Sequence, residues 1–148
     1  MNVYIYSRDQ LLGALNNDFP FGTAVVSFYD EGSRPIDFKG KPAASISRCI
    51  NDVRWVDRPD KWHAKEFDDV AKFIHECAAK GYDVICQCEF GVSRSSACAM
   101  AIKEHFMGNG IEIFRNYDYY PNQVFFNNIY DRLEKIGRDP GQADQKES

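Results

Sequence analysis

The sequence has no apolar run that approaches the roughly 18 residues a membrane span needs. It also lacks an excess of basic charge, because 18 lysines and arginines stand against 22 aspartates and glutamates, for a net charge of −4. A protein that coats nucleic acid or an anionic membrane needs the opposite balance, so we expect neither partner. The first residues, MNVYIYSRDQ, lack the basic flank and long apolar core of a secretory signal peptide, and we therefore expect a cytoplasmic protein.

The sequence lacks the regular cysteine spacing of a disulfide framework. The five cysteines in 148 residues are Cys49, Cys77, Cys86, Cys88 and Cys98. An odd number without framework spacing is typical of reduced thiols rather than of a disulfide scaffold. The three histidines lie far apart, and Cys86-x-Cys88 has no second pair that would complete a zinc site. We therefore expect no metal and no cofactor, and one of the thiols is free for chemistry.

Segments typical of strands and helices alternate along the chain. β-branched and aromatic runs predict strands at residues 3–6, 23–30, 44–50 and 82–88. Apolar spacing and capping residues predict helices at residues 8–17, about 63–80, 95–106 and 121–136. Ser7 and Gln10 form a capping-box signature before the first helix, and Pro121 suits the first turn of the last.

This alternation predicts the fold class and the domain organisation. We expect an α/β fold in a single domain, with a central, mainly parallel sheet of four to five strands flanked by helices. The domain is expected to span residues 1–137, and the polar residues 138–148 are expected to form a disordered tail. In such folds the functional groups lie beyond the carboxyl ends of the strands.

The most informative segment follows the fourth predicted strand and reads Cys88-Glu89-Phe90-Gly91-Val92-Ser93-Arg94-Ser95. A Cys-x5-Arg loop before a helix can wrap a tetrahedral oxyanion, because its backbone N–H groups and the helix N-terminus supply positive potential. Gly91 permits a tight path, and Arg94 can bind two phosphoryl oxygens with its guanidinium. The same field lowers the pKa of the Cys88 thiol and makes it a nucleophile. The predicted phosphate-binding residues are Glu89, Phe90, Gly91, Val92, Ser93 and Arg94.

With this motif the sequence resembles the cysteine-dependent protein tyrosine phosphatases, in particular the small dual-specificity phosphatases. Their signature is His-Cys-x-x-Gly-x-x-Arg followed by Ser or Thr, and QCEFGVSRS matches it everywhere except the leading His. The segment PNQVF at 121–125 is similar to the Pro-Asn plus aromatic segment of these enzymes. The resemblance implies a phosphatase fold and a two-step reaction in which Cys88 forms a cysteinyl-phosphate and Arg94 binds the oxygens. It also implies that Ser95 assists breakdown of the intermediate by hydrogen-bonding the departing sulfur.

The resemblance further implies a general acid, an aspartate just after the strand that precedes the helix leading to the cysteine strand. Asp52 closes the third predicted strand and lies 36 positions before Cys88. Asp57 lies 31 positions before Cys88, a spacing also found in the family. We favour Asp52, because a strand end positions a carboxylate better than the middle of a loop, with Asp57 as the alternative and Asp60 as a third choice.

Gln87 is the departure from the family signature. The family's His helps to orient the loop and lower the pKa of the cysteine, whereas a neutral amide can donate a hydrogen bond but supplies no charge. Glu89 would also oppose thiolate formation if its side chain turned toward Cys88. We therefore expect the Cys88 thiol to be less acidic than in relatives that have the His.

Charge is unevenly distributed. Residues 34–65 contain eight basic and four acidic residues, a net charge of +4, which leaves −8 for the remainder. A positive rim would attract phosphorylated substrates, so we predict a phosphomonoester hydrolase that acts on a phosphorylated protein or a small phosphomonoester. Two alternatives stay open. One is a catalytically weak, phospho-binding pseudophosphatase. The other is an RNA 5′-phosphatase, which the net acidity and the absence of a basic, aromatic track disfavour.

Overall fold

The computed structural model describes residues 1–137. The elements are β1 (Val3–Tyr6), α1 (Arg8–Leu15), β2 (Thr23–Tyr29), β3 (Ser45–Cys49), α2 (Ala64–Ala79), β4 (Asp83–Gln87), α3 (Arg94–Met107), α4 (Ile111–Phe114) and α5 (Gln123–Ile136). The four strands of these residues form one sheet in the order β1-β4-β2-β3, with every pair parallel. The predicted single-domain α/β fold with a parallel central sheet is therefore confirmed. The expected tail at 138–148 lies outside the described residues.

Helices cover both faces of the sheet, because successive strand residues point to opposite sides. On β2, Val26 and Phe28 face a core that is completed by α2, α3 and α5, whereas Val25 faces a smaller cluster with Leu11 and Leu15 of α1. No helix within residues 1–137 combines the length and apolarity that crossing a membrane requires. The sheet and the helices on its two faces form three layers, and the loops after the strands remain accessible.

The register brings three strand ends to one edge of the sheet. Ser27 of β2 lies beside Gln87 of β4, and Tyr29 of β2 lies beside Cys49 of β3. Because all strands are parallel, the segments that follow β2, β3 and β4 emerge together at the carboxyl edge. This topology places Asp30, Asp52 and Cys88 in neighbouring loops.

The ends of the helices follow their capping residues. Ser7 and Gln10 form the predicted capping box at the start of α1. The prediction for the last helix is wrong at its first turn: Asn122 is the cap, its side chain accepts a hydrogen bond from the Phe125 N–H, and Pro121 lies outside the helix. The short helix α4 was not predicted, since four residues are too few to show a helical period.

Candidate active site

The loop between β4 and α3 lines a cleft of about 290 Å³ at the carboxyl edge of the sheet. The lining residues are Asp52, Arg54, Cys88, Phe90, Val92, Ser93 and Arg94. The structure therefore brings the predicted nucleophile, the predicted phosphate-binding arginine and one of the predicted acids to a single cavity.

The Cys88 thiol is buried and surrounded by hydrogen-bond donors. Its Sγ lies 3.1 Å from Ser95 Oγ and accepts a hydrogen bond from the Ser95 N–H at 3.4 Å. Burial raises the pKa of this thiol, but the hydrogen bonds from Ser95 and the Gly91 backbone, with the charge of Arg94, outweigh burial. The net effect is a Cys88 pKa below the ordinary value of 9.0. The loop therefore favours the thiolate, which is the nucleophilic form.

Arg94 is held through both of its terminal nitrogens. Its side chain is only 4% exposed, and Nη1 donates to Asp30 Oδ1 at 2.8 Å and to the Ile50 carbonyl at 2.9 Å. Nη2 also donates to Asp30 Oδ2 at 3.5 Å. The buried Nε has no hydrogen-bond partner among the described residues. Because an unpaired buried N–H is costly, this donor is suited to an oxygen that a ligand brings. The arrangement can hold the guanidinium in place for an oxyanion.

Asp30 is a site residue that the sequence pattern does not predict. It follows the last residue of β2, and its carboxylate forms the ion pair that holds Arg94. The only sequence signal for Asp30 is its position directly after a strand of a parallel sheet, which is where functional carboxylates tend to lie.

Gly91 is required by both conformation and packing. Its φ of +68° lies in the left-handed region, and a Cβ there would stand 2.7 Å from the Ser7 backbone nitrogen. The loop also rests on the start of α1 through a hydrogen bond from the Arg8 N–H to the Glu89 carbonyl at 3.0 Å. Only glycine permits this close approach between the loop and the β1–α1 turn.

Asp52 is the predicted acid that the structure places at the cleft. Its Oδ1 accepts hydrogen bonds from Ser93 Oγ at 2.8 Å and from Asn122 Nδ2 at 2.7 Å. Asp57 is exposed and does not line the cleft, and Asp60 lines a separate surface depression beside α5. The geometry supports Asp52, rather than either alternative, as the carboxylate near Cys88.

Gln87 takes up the position of the family's His with a defined orientation. It is buried, its Nε2 donates to the Cys88 carbonyl at 2.9 Å, and its Oε1 accepts a hydrogen bond from Ser27 Oγ. The amide therefore supports the base of the loop but brings no positive charge. Glu89 is half-buried and is not among the residues that line the cleft.

Arg54 is a second arginine at the cleft. Its Nη2 donates to Ser93 Oγ at 3.1 Å and to the Tyr120 carbonyl at 3.4 Å, and its guanidinium lies 4.5 Å from the centre of the Tyr120 ring. In the sequence, Arg54 is only one of eight basic residues at 34–65. Among the described residues of that segment it is the one cation that lines the cleft, whereas Arg48 and Lys65 pair with Asp69.

The remaining cysteines are free thiols of different character. Burial raises the pKa of Cys77 to about 12, and burial together with Cys98 raises the pKa of Cys86 well above its usual value. Cys86 packs in the core on the same strand face as Cys88. Residues 1–137 contain no cluster of three or more His, Cys, Asp or Glu side chains arranged to hold a metal ion.

Comparison with solved structures shows which known proteins share this fold. No protein-family model matches the sequence, and no curated protein matches it at a significant level. Among solved structures, PTPMT1 in complex with PI(5)P has a TM-score of 0.59 at 13% identity, covering 91% of this chain and 92% of that one. Human DUSP28 has a TM-score of 0.54 at 15% identity, covering 99% and 95%. Tk-PTP in its active form has a TM-score of 0.59 at 15% identity, covering 91% and 92%. The chain therefore has the fold of the small dual-specificity protein tyrosine phosphatases, as the resemblance predicts.

Proposed function

We propose that this protein is a cysteine-dependent phosphomonoester hydrolase of the dual-specificity phosphatase type, with Cys88 as its nucleophile. The observation that carries the proposal is a thiol of lowered pKa that shares one cleft with the unpartnered Nε of Arg94 and the carboxylate of Asp52. These three groups supply a nucleophile, an oxyanion partner and a proton donor, which together suffice for phosphoryl transfer.

In the proposed first step, the Cys88 thiolate attacks phosphorus in line with the leaving oxygen. A sulfur–phosphorus bond forms as the bond to the leaving oxygen breaks, and Asp52 gives that oxygen its proton. The Nε of Arg94 and the backbone N–H groups of the loop bind the equatorial oxygens, where negative charge is concentrated. The Asp30 ion pair keeps the guanidinium in position for this contact.

In the proposed second step, water attacks the cysteinyl-phosphate. Asp52, now ionised, takes a proton from the water, and the sulfur–phosphorus bond breaks to release inorganic phosphate. The departing sulfur becomes a thiolate again, and Ser95 Oγ, 3.1 Å from it, stabilises that charge by donating a hydrogen bond. No metal or cofactor is needed in either step.

The proposed substrates are phosphorylated proteins or small phosphomonoesters, and the proposed location is the cytoplasm. The positive charge of Arg54 beside Arg94 supports an anionic ligand at the mouth of the cleft. One structural neighbour is complexed with PI(5)P, which supports phosphomonoesters in general as the substrate class.

A phospho-binding protein without turnover is the second candidate. One observation favours it: Gln87 supplies a hydrogen bond to the loop but no charge to assist the thiolate. The lowered pKa of Cys88 argues for turnover, since the loop donors and Arg94 achieve that shift without a His. The two candidates bind the same anion and differ in whether it is hydrolysed.

Hydrolysis of p-nitrophenyl phosphate by the wild type, Cys88→Ser, Asp52→Asn and Asp57→Asn tests the proposal. We expect turnover by the wild type and Asp57→Asn, none by Cys88→Ser, and a reduced rate for Asp52→Asn that falls furthest when phenyl phosphate, whose leaving group needs a proton, replaces p-nitrophenyl phosphate. Wild-type protein that binds tungstate but releases no p-nitrophenol would establish the phospho-binding function. Undiminished turnover by Cys88→Ser would refute the mechanism, and an inactive Asp57→Asn beside a normal Asp52→Asn would reassign the acid.

A further inference from the structure

A second groove, of about 570 Å³, lies beside the cleft of Cys88 and is formed by the segment between α4 and α5. We call it the aromatic groove. Its walls include Arg54, Phe114, Tyr117, Tyr119, Tyr120 and Gln123. None of the steps proposed for phosphoryl transfer uses the aromatic side chains of this groove.

The aromatic groove exposes an unusual amount of apolar surface. Phe114 is 63% exposed, Tyr120 is 68% exposed, and Tyr117 is fully accessible at 104%. Single exposed aromatics, such as Phe21 at the amino edge of the sheet, need no explanation, whereas several in one concave patch mark a binding surface. Tyrosine in particular is enriched where proteins bind other chains.

The aromatic groove and the cleft form one continuous surface. Arg54 lines both, with its Nη2 bonded to Ser93 of the loop and its guanidinium against the Tyr120 ring. The Tyr120 N–H donates to the Val92 carbonyl at 3.0 Å, so the wall of the groove is hydrogen-bonded to the phosphate loop itself. A chain that flanks a phosphate in the cleft can therefore reach the groove past Arg54.

We propose that the aromatic groove binds the residues adjacent to the phosphorylated side chain of a protein substrate and selects an apolar side chain there. This inference rests on the proposed function, since continuity with the cleft identifies the occupant as the chain that flanks the scissile phosphate. Aromatic rings provide the apolar contact, and the Asn116 and Gln123 amides can pair with an extended peptide backbone.

The charge of the aromatic groove favours a peptide over a nucleic acid. Among residues 1–137, Arg54 is the only charged residue that lines the groove, whereas binding a nucleic acid strand relies on several phosphate contacts. A phosphoinositide would place further phosphates near the scissile one, and the groove offers them aromatic rings rather than cations. An apolar peptide side chain fits this lining better than either.

Peptide hydrolysis by the full chain tests the inference. The substrates are peptides with one central phosphotyrosine or phosphothreonine and alanine elsewhere, compared with versions in which leucine replaces one flanking alanine at a time. The proteins are the wild type, Phe114→Ala/Tyr117→Ala, and Phe21→Ala as a control that removes a fully exposed ring outside the groove. The readout is kcat/KM for each peptide divided by kcat/KM for p-nitrophenyl phosphate.

We expect leucine at one or more flanking positions to raise this ratio about tenfold in the wild type and in Phe21→Ala. A gain of about this size is expected because the groove would bury one apolar side chain. The double variant should lose that gain. A flat profile across all positions, or a preference that survives in the double variant, would overturn the inference. The inference would also be overturned if the wild type hydrolysed 5′-phosphorylated RNA or phosphoinositide vesicles in preference to the peptides and the double variant lost that preference.

Failure of the proposed function gives a different result. If no protein hydrolyses p-nitrophenyl phosphate or any peptide, the hydrolase proposal fails, and the same peptides are then measured for binding by fluorescence anisotropy. Tighter binding of the leucine peptides, lost in the double variant, would still support the groove, and equal binding of all peptides would refute it.

Discussion

The hydroxyl of Ser93 donates a hydrogen bond to Oδ1 of Asp52 at 2.8 Å, which ties the phosphate loop to the segment that carries the proposed acid. Asn122 Nδ2 donates to the same oxygen at 2.7 Å. With Oδ1 held by two donors, Oδ2 is the oxygen that can exchange a proton with substrate. The loop that binds the phosphate therefore also positions the acid.

Replacing Ser93 with alanine should impair proton transfer more than phosphate binding. Since general acid catalysis contributes about 10²–10⁴ in rate, a displaced Asp52 should lower kcat/KM, which reports the step in which the leaving group departs, about tenfold for phenyl phosphate, whose leaving group needs the proton. The effect on p-nitrophenyl phosphate should be smaller, because p-nitrophenolate leaves readily without protonation. Steady-state kinetics with both substrates checks this. Equal losses on both would indicate damage to the loop instead.

The Asp30–Arg94 pair should set the affinity for the oxyanion. Asp30→Ala removes the carboxylate that anchors Arg94 Nη1, and tungstate affinity should fall about tenfold because the freed guanidinium is no longer preorganised. Asp30→Asn retains an oxygen acceptor and should lose less. Isothermal titration calorimetry with both variants measures the effect. Wild-type affinity in Asp30→Ala would show that the Ile50 carbonyl alone holds the arginine.

The acidity of Cys88 can be followed by alkylation. The rate of iodoacetamide reaction at Cys88 should rise with pH as the thiolate forms, with a midpoint below 9.0 because its pKa is lowered. Cys77, whose pKa burial raises to about 12, should not react over the same range and serves as an internal control, with sites resolved by peptide mass spectrometry. A Cys88 midpoint at or above that of an unstructured cysteine peptide, measured in parallel, would contradict the proposed role of the loop donors.

Gln87→His should lower that midpoint further. An imidazolium beside the thiolate would add the positive charge that the Gln87 amide does not supply, and the Cys88 carbonyl remains available to accept the hydrogen bond that Gln87 now donates. The measurement is the same alkylation profile in the variant and the wild type. Identical midpoints would show that the pKa of the Cys88 thiol is no higher with Gln87 than with a histidine at that position.

Gly91→Ala should destabilise the protein more than Gly22→Ala. Both glycines have positive φ, +68° and +70°, but a Cβ at Gly91 meets the Ser7 backbone, whereas a Cβ at Gly22 has nothing within 4 Å. We expect a loss of about 1 kcal/mol in the free energy of unfolding for Gly22→Ala and about 2–3 kcal/mol for Gly91→Ala. Urea denaturation compares them. Equal losses in the free energy of unfolding would show that the loop accommodates a Cβ at Gly91 without strain.

Local features of the site could be predicted from sequence. The segment from Cys88 to Ser95 is continuous, so its strand, glycine, arginine and helix start are visible in the order of residues. The general acid could be narrowed to three aspartates, and Asp52 could be favoured among them because it directly follows the third predicted strand. The capping box of Ser7 and Gln10 is equally local, and it also appears in the structure.

The contacts that support the site could not be predicted, because they join residues far apart in sequence. Asp30 meets Arg94 across 64 positions and Arg54 meets Ser93 across 39, and both contacts depend on the strand order β1-β4-β2-β3. Ser27 pairs with Gln87 only because the register of β2 and β4 places them side by side. Sequence spacing carries no information about that register.

Trapping of the covalent intermediate tests the central claim most directly. Ser95→Ala, which lacks the hydroxyl 3.1 Å from the sulfur, should break down the cysteinyl-phosphate slowly, so acid quenching during turnover of p-nitrophenyl phosphate should capture it. Peptide mass spectrometry should then find one phosphoryl group on Cys88, absent from a Cys88→Ser control. Steady turnover with no phosphoryl group on Cys88, or with phosphate on another residue, would contradict Cys88 as the nucleophile.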